Sequence, residues 1–409
     1  MDRGRLQTAT DVERGRLRAA MDALTARTEE TLAETGDEFP YVVDADTGRW
    51  MTTSDGNWCG GHWVDLLWLA RDHAARDGTD LNVDPPRFAD AARTHAETLR
   101  AEMPRDNMFC GMNFHYAGFR GYDTTGDRSF FALGLEGADA MVAAFHERAR
   151  MVPIGEYQIE GPEEQFDLET EHADRPPGSR VGATDAVYTA LPVLWRAYRE
   201  TSIPEFRDVA VAHADRHLDW CLRPDGSTWH ECAFDPETGA LERQFNDLAH
   251  GADTCWSRGQ GWSIAGVARA YSETGAERYL AALERMVDYY TDHTPSDMVP
   301  YWDFEDPEIP DAPRDSSAAA LVAYGLTRLR DEGDDPERVA ALRDVGHATL
   351  DSLLRNYLVT DPDDDRYGAV LHGCFDRPGD YAVDTELLWT NYYLARTVHD
   401  ALRDSTPLG

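Results

Sequence analysis

The sequence predicts an all-α chain closed into an (α/α)6 barrel, a toroid of six helical hairpins. Three observations carry that expectation. Apolar residues recur at spacings of three and four along most of the chain, as in Leu66, Leu67, Leu69 and Ala70, or Ala319, Leu321, Val322 and Leu326. Strand-like runs are few and short, near 226–234 and 298–304. A polar, aromatic loop also leads repeatedly into a helix of small and apolar residues.

That repeat is carried by GNWCGGHWVDLLWLA, NFHYAGFRGYDTTGDRSFFALGL, GATDAVYTALPVLWRAY, DTCWSRGQGWSIAGVARAY, RDSSAAALVAYGL and, more weakly, DTELLWTNYYLARTV. Between these lie acidic amphipathic segments such as DPERVAALRDVGHATLDSLL. Alternation of a helix apolar all round with one that keeps a wet face is what two concentric rings require. Loops feeding the inner ring would open on one end and line a common bowl. An ordinary helical array or solenoid is the competing arrangement, set against the wealth of Trp, His and Arg in these loops. Helices are expected near 11–34, 62–77, 86–102, 128–149, 185–201, 204–221, 260–273, 277–293, 315–331, 335–355 and 383–402. No long Pro/Ser/Gly linker divides the 409 residues, so one domain over 1–409 is expected.

Composition narrows the setting. Hydrophobic residues make up 42% of the chain, enough for a large core, and no apolar run reaches the roughly 18 residues of a membrane span. The start, MDRGRLQTATDVERGRLRAA, is charged and lacks the apolar segment of a secretory signal, so a cytoplasmic location is expected. Asp and Glu number 76 against 39 basic residues, a net charge of −37, and every basic residue is Arg because the chain has no Lys. Such a charge repels itself in dilute buffer. In roughly 1 M salt the Debye length falls to about 3 Å and the repulsion is screened. The acid is spread among Trp, Tyr and Phe rather than gathered in a tail. It reads as adaptation to molar salt, and it argues against nucleic acid or an anionic membrane as partner.

Six cysteines (Cys59, Cys110, Cys221, Cys232, Cys255, Cys374) form no CxxC pair and read as reduced thiols. The 14 His show no HExxH spacing, so neither a catalytic metal nor another cofactor is expected. His213 and His217 share a helix face, and the Asp and Arg around them indicate a solvated one.

The residues at the loop ends point to a sugar site. They are Trp58, Trp63, His115, Tyr116, Asp185, His230, Trp256, Arg258, Trp262, Arg314, His372 and Trp389. Aromatic faces stack on sugar rings, a planar guanidinium fits a carboxylate, and a carboxylic acid supplies acid/base chemistry. Each has a bland alternative: the tryptophans as core, Asp185 as a helix cap, Arg258 as a buried bridge between helix ends, and Asp315 in DSS as a cap.

The stretches RPDGSTWHECAFDPETG, DTCWSRGQGWSIAGVARAY, YWDFEDPEIPDAPRDSSAAA and LLWTNYYLARTV resemble the unsaturated glucuronyl hydrolases, glycoside hydrolase family 88. The likeness runs from about Trp58 to Tyr393 in order, with features of the sister family 105, the unsaturated rhamnogalacturonyl hydrolases. It implies an (α/α)6 barrel acting on the Δ4,5-unsaturated uronic acid that lyases leave at a non-reducing end. In that reaction a carboxylic acid protonates C4 of the enol ether and the resulting carboxylate directs water to C5. The hemiketal then opens and releases the partner sugar.

The same resemblance assigns Asp185 as the acid/base, with His115 and Tyr116 on the accompanying catalytic loop. Trp58, His230, Trp256, Arg258, Trp262, His372 and Trp389 become substrate-lining residues, Arg258 facing the uronate carboxylate or its neighbouring hydroxyls. Two departures stand out. Family 88 has Asp where this chain has Tyr116, and loss of that negative charge would lower Asp185's pKa, all else equal. Asp185 also lies seven residues before Pro192 rather than six, a shift of about 100° on a helix. A carbohydrate-binding protein without catalysis, and a sugar epimerase using His230 and His372, are the alternative functions.

Overall fold

The computed structural model describes residues 3–76, 81, 83–155, 176–331, 333 and 335–403. Its helices alternate as the sequence predicts. In chain order they are α1 (Arg3–Thr35), α2 (Gly60–Ala74), α3 (Pro85–Glu102), α4 (Phe109–Phe114) continuing through a π turn at His115–Arg120 into α5 (Gly121–Thr125), and α6 (Arg128–Ala144). Then follow α7 (Ala186–Thr189), α8 (Leu191–Thr201), α9 (Pro204–Trp220), α10 (Ser257–Thr274), α11 (Glu277–His293), α12 (Ser316–Thr327), α13 (Pro336–Ser352) and α14 (Leu388–Arg403). The expected end of the second helix at 77 lies outside the described residues.

Burial separates the two rings. α12 is buried from Ser316 through Leu326 without a break, and α10 from Ser257 through Ala268. α3 and α13 bury one stripe each, Phe88, Ala92, Ala96 and Leu99 in the first, Val339, Leu342, Gly346 and Leu350 in the second. The inner ring closes by contact in the order α2, α4, α7 with α8, α10, α12, α14 and back to α2. α1, α3, α6, α9, α11 and α13 pack outside it. Six outer–inner hairpins among the described residues make the (α/α)6 barrel.

Inner helices α10, α12 and α14 run the same way. Their starts meet where Arg258 bonds Asp315 and lies over Trp389, and their ends meet where Arg328 pairs with Asp400. α10, with 18 residues, is about 27 Å long, so the two ends of the barrel are far apart.

The segment 109–125 was expected as loop and is helical. Gly, Asn and aromatic residues have weak helix propensity, and packing overrides it. Its glycines make that packing possible: a Cβ at Gly118 would lie 2.4 Å from the backbone N of Gly134 in α6. The helix expected over 185–201 breaks at Ala190, between α7 and α8. The face of His213 and His217 is also opposite to expectation. Both are fully buried in α9, His213 Nδ1 accepting from Val152 N at 2.9 Å and His217 Nε2 meeting Ser263 Oγ at 3.1 Å.

Among the described residues, five short strands ornament the barrel. β1 (Phe39–Val43) and β2 (Trp50–Thr53) form a hairpin; β3 (Val181–Ala183), β4 (Glu231–Phe234) and β5 (Leu241–Phe245) form an antiparallel sheet in that order. The expected strand near 298–304 reduces to isolated bridges, Tyr301 to Arg314 and Asp303 to Trp256.

The glycine contacts give a paired test. Gly118→Ala should cost about 1–3 kcal/mol in chemical denaturation, because the new carbon meets backbone. Gly15→Ala, where α1 has open space, should instead stabilise by roughly 0.5–1 kcal/mol through helix propensity.

Candidate active site

The β3–β4 register places Ala183 opposite Glu231, so the chain enters α7 beside the His230 loop. Thr184 N donates to His230 O at 2.7 Å, and Thr184 Oγ1 meets Ser263 Oγ of α10 at 2.7 Å. The next residue is Asp185. Its side chain makes no capping hydrogen bond, and Oδ1 is buried with no hydrogen-bond partner. A buried carboxyl oxygen left unsatisfied is not explained by helix capping. Burial raises its pKa, opposed by the charge of Arg258, and the balance stands at about 7. The loss of a negative neighbour at Tyr116 therefore does not leave this acid ionised in the ordinary carboxylate range.

Arg258, at 1% exposure, is committed to protein. Nη1 donates to Asp315 Oδ2 at 2.9 Å and to Cys374 O, Nη2 donates to Phe375 O, and the guanidinium lies 4.5 Å from the Trp256 ring centre. Asp315 meanwhile caps α12 by accepting from Ser317 N at 3.0 Å. The expected direct grip on a uronate is thus replaced by a bridge between helix starts. Arg258 acts on the site through its charge and through what it holds.

The aromatic residues converge as expected, but not all present a face. Trp58 lies 4.7 Å from Trp389 and 6.4 Å from both Trp262 and Phe375, and its Nε1 donates to Tyr41 OH at 2.9 Å. Trp389 and Trp262, at 0% and 1% exposure, have no free face for a sugar. They brace the site. Trp256 and His230 pack edge to face at 4.8 Å on the Asp185 side.

Behind this cluster lies a layer of phenols. Trp262 stacks on Tyr188 at 5.6 Å, and Tyr188 OH bonds Tyr116 OH at 2.8 Å, which reaches Tyr393 OH at 3.3 Å. His62 Nε2 joins Tyr393 OH at 3.0 Å, and burial lowers that imidazole to about 3, so it stays neutral. Tyr116 is therefore a member of a hydrogen-bonded layer across the barrel. His115, one residue earlier, faces a cavity beyond the layer, among Arg120, Arg196 and Arg269. His372 stands at the surface, its side chain 48% exposed and its Nδ1 2.6 Å from Asp384. His230 and His372 thus have separate partners, one on Trp256 and the other on Asp384, not the joint acid/base arrangement an epimerase needs.

Tyr41, Tyr188, Phe375 and Tyr393 were absent from the expected site. Tyr188 was within reach, standing one turn after Asp185. Phe375 was not, because it contributes a carbonyl to Arg258 from 117 residues away.

Residues 183–335 match the profile described as Glycosyl Hydrolase Family 88, a span that runs from β3 through α12. That segment is similar to the family 88 glycoside hydrolases. It is 29% identical over 380 residues to the unsaturated glucuronyl hydrolase of Bacillus sp. strain GL1, covering 90% of this chain and 92% of that one. The unsaturated chondroitin disaccharide hydrolase of Streptococcus pneumoniae (strain ATCC BAA-255 / R6) is 25% identical over 91% of this chain and 89% of its own. The crystal structure of the Bacillus sp. GL1 enzyme superposes with a TM-score of 0.77 at 28% identity, over 93% of this chain and 95% of that one. The likeness therefore extends over the barrel, well beyond the profile match, and the chain is a glycoside hydrolase.

The Arg258 bridge is open to a stability test. Arg258→Met should cost about 3–5 kcal/mol in denaturant unfolding, because Asp315 is left charged in the interior. In the fraction that folds, Asp185 should titrate higher than in the parent, since the charge that lowers it is gone.

Proposed function

We propose that this chain removes the Δ4,5-unsaturated uronic acid from the non-reducing end of lyase-generated oligosaccharides, with Asp185 as the acid. The observation that carries the assignment is the half-buried Asp185 carboxyl, whose enclosed Oδ1 has no hydrogen-bond partner and whose pKa is raised to about 7. At or below neutral pH that carboxyl holds a proton. It delivers the proton to C4 of the enol ether, and positive charge develops on C5 and the ring oxygen. The carboxylate then takes a proton from water as the oxygen attacks C5. The hemiketal opens and the partner sugar leaves, so the net change is addition of one water. Names of the relatives, unsaturated glucuronyl and unsaturated chondroitin disaccharide hydrolase, support the substrate class. Tyr116, neutral at this pH, braces Tyr188 one turn behind the acid. Trp58, Trp256 and His230 form the rim a sugar ring would meet, with Arg258 holding the loops that carry it.

The test is loss of ultraviolet absorbance from unsaturated disaccharides of several uronic-acid glycans. Asp185→Asn should abolish it. In the parent, kcat/KM should be level below pH 7 and fall about tenfold per unit above, because the protonated acid is the active form. Turnover that survives in Asp185→Asn would overturn the assignment.

Stability should depend on the same proton. The folded pKa of about 7 lies above an unfolded value of about 3.9, so the folded state binds more protons between them and stability declines as pH rises. Asp185→Asn should accordingly gain about 1–3 kcal/mol at pH 8 over the parent.

The charge of −37 with Arg as sole strong base supports a high-salt setting. The unfolding midpoint should climb steeply with KCl up to about 1 M, where the Debye length is about 3 Å. Equal stability in dilute buffer would sink that reading.

A further inference from the structure

At the end of the barrel opposite Asp185, a cavity of about 770 Å³ is lined by nine arginines and only two acids, Asp344 and Asp400, among the described residues. Over the chain the balance is reversed, with 39 basic and 76 acidic residues. The arginines come from many elements. Arg120 ends the π turn, Arg196 and Arg199 lie on α8, and Arg269 on α10. Arg328 and Arg330 follow α12, while Arg396 on α14 and Arg343 on α13 supply other walls.

Helix C-termini attract arginines, and part of the set is explained that way. Arg330 donates to Ser272 O at 2.8 Å and Arg343 to Leu329 O at 2.7 Å. Ion pairing accounts for less than the rest, because the carboxylates behind the wall are shared. Glu273 serves Arg199 (2.5 Å), Arg269 (2.7 Å) and Arg330 (3.3 Å). Asp65 serves Arg120 (3.5 Å) and Arg396 (3.7 Å), and Asp123 serves Arg120 (3.3 Å) and Arg196 (2.6 Å). A surplus of guanidinium charge therefore faces the space.

Two enclosed side chains lining it also have unspent nitrogens. Arg396, at 8% exposure, has no partner for Nε, and His115, at 7%, has none for Nδ1. The field is felt locally: burial and then Arg269, Arg120, Arg196 and Arg199 hold His115 well below the usual imidazole range. Burial, with Arg269 next to it, brings Arg199 down to about 10.

We propose that this far mouth binds a small polyvalent oxyanion, a molecule carrying two or more phosphate, sulfate or carboxylate groups. Guanidinium forks bond such groups two oxygens at a time, and the volume lies within the range of small-molecule pockets. The site is separate from the acid. Arg269 stands 11 residues beyond Arg258 on α10, about 16 Å along the axis, with the Tyr116–Tyr188 layer between.

The test is calorimetric titration of the full chain with inorganic pyrophosphate at constant KCl concentration. Saturable binding near one per chain is expected, unchanged in Asp185→Asn. The double change Arg199→Gln/Arg330→Gln should weaken it roughly a hundredfold, about tenfold for each charge-assisted contact. Arg343→Gln, on another wall, should weaken it about tenfold and decides the matter alone if the double variant fails to fold. Citrate binding with the same sensitivity, in place of pyrophosphate, would support the site and assign it to carboxylates. Failure of folded parent protein to bind either anion, or binding that both cavity variants leave intact, would overturn the proposal.

Discussion

The ion pair of Arg258 and Asp315 is the constraint on which the substrate end of the barrel depends. Placing two charges in a packed interior is costly unless their geometry is good and their remaining hydrogen-bonding capacity is met. Here it is met from three directions. Arg258 comes from the start of α10, Asp315 caps α12, and the carbonyls of Cys374 and Phe375 come from the loop that leads to α14. Neighbouring inner helices are thereby fixed in register at the end where a sugar would enter. Trp256 and Phe375 flank the guanidinium, Phe375 in turn packs on Trp58 and Trp389, and the aromatic cluster at this end of the barrel shares that anchor.

Parallel inner helices give the barrel two electrically different ends. Helix starts carry partial positive charge and helix ends partial negative charge. The end holding Asp185 gathers the starts of α7, α10, α12 and α14, a setting suited to a substrate that bears a carboxylate. The other end gathers carbonyl-rich termini, which accounts for Arg330 on Ser272 O and Arg343 on Leu329 O. Between them lies the layer of Tyr116, Tyr188, Tyr393 and His62, linked by hydrogen bonds. That layer lets one barrel hold a neutral acid at one mouth and a concentration of cations at the other.

Periodicity made the rings legible in sequence. The expected helix at 277–293 coincides with α11, an amphipathic segment with Glu277 at its start and Tyr279, Leu280, Leu283 and Met286 on its buried stripe. Failures of the same reading have physical causes. The run 109–125 hides its helix behind Gly, Asn and aromatic residues, and the fit of Gly118 against Gly134 and of Asn113 against Asn57 is visible only in the fold. His213 and His217 were read from their charged sequence neighbours, although the helical period sets them on the stripe of Phe206 and Ala210, and both are buried. At the site, residue types were legible and roles were not. Arg258 stood out by its flanking tryptophans, but the carbonyls that occupy it lie more than a hundred residues away.

Tyr116 bears on how the acid is tuned. A carboxyl can be kept protonated by a nearby negative charge or by exclusion from water, and the two leave different traces. In this chain the first is unavailable at position 116, where a phenol bonds Tyr188 and Tyr393. The second dominates Asp185, with burial as the largest influence and Arg258 opposing it. The phenol layer closes the barrel behind the acid and so helps to exclude the water that would favour the carboxylate. A side chain that cannot repel the acid's charge contributes instead to the dryness that makes the charge unfavourable.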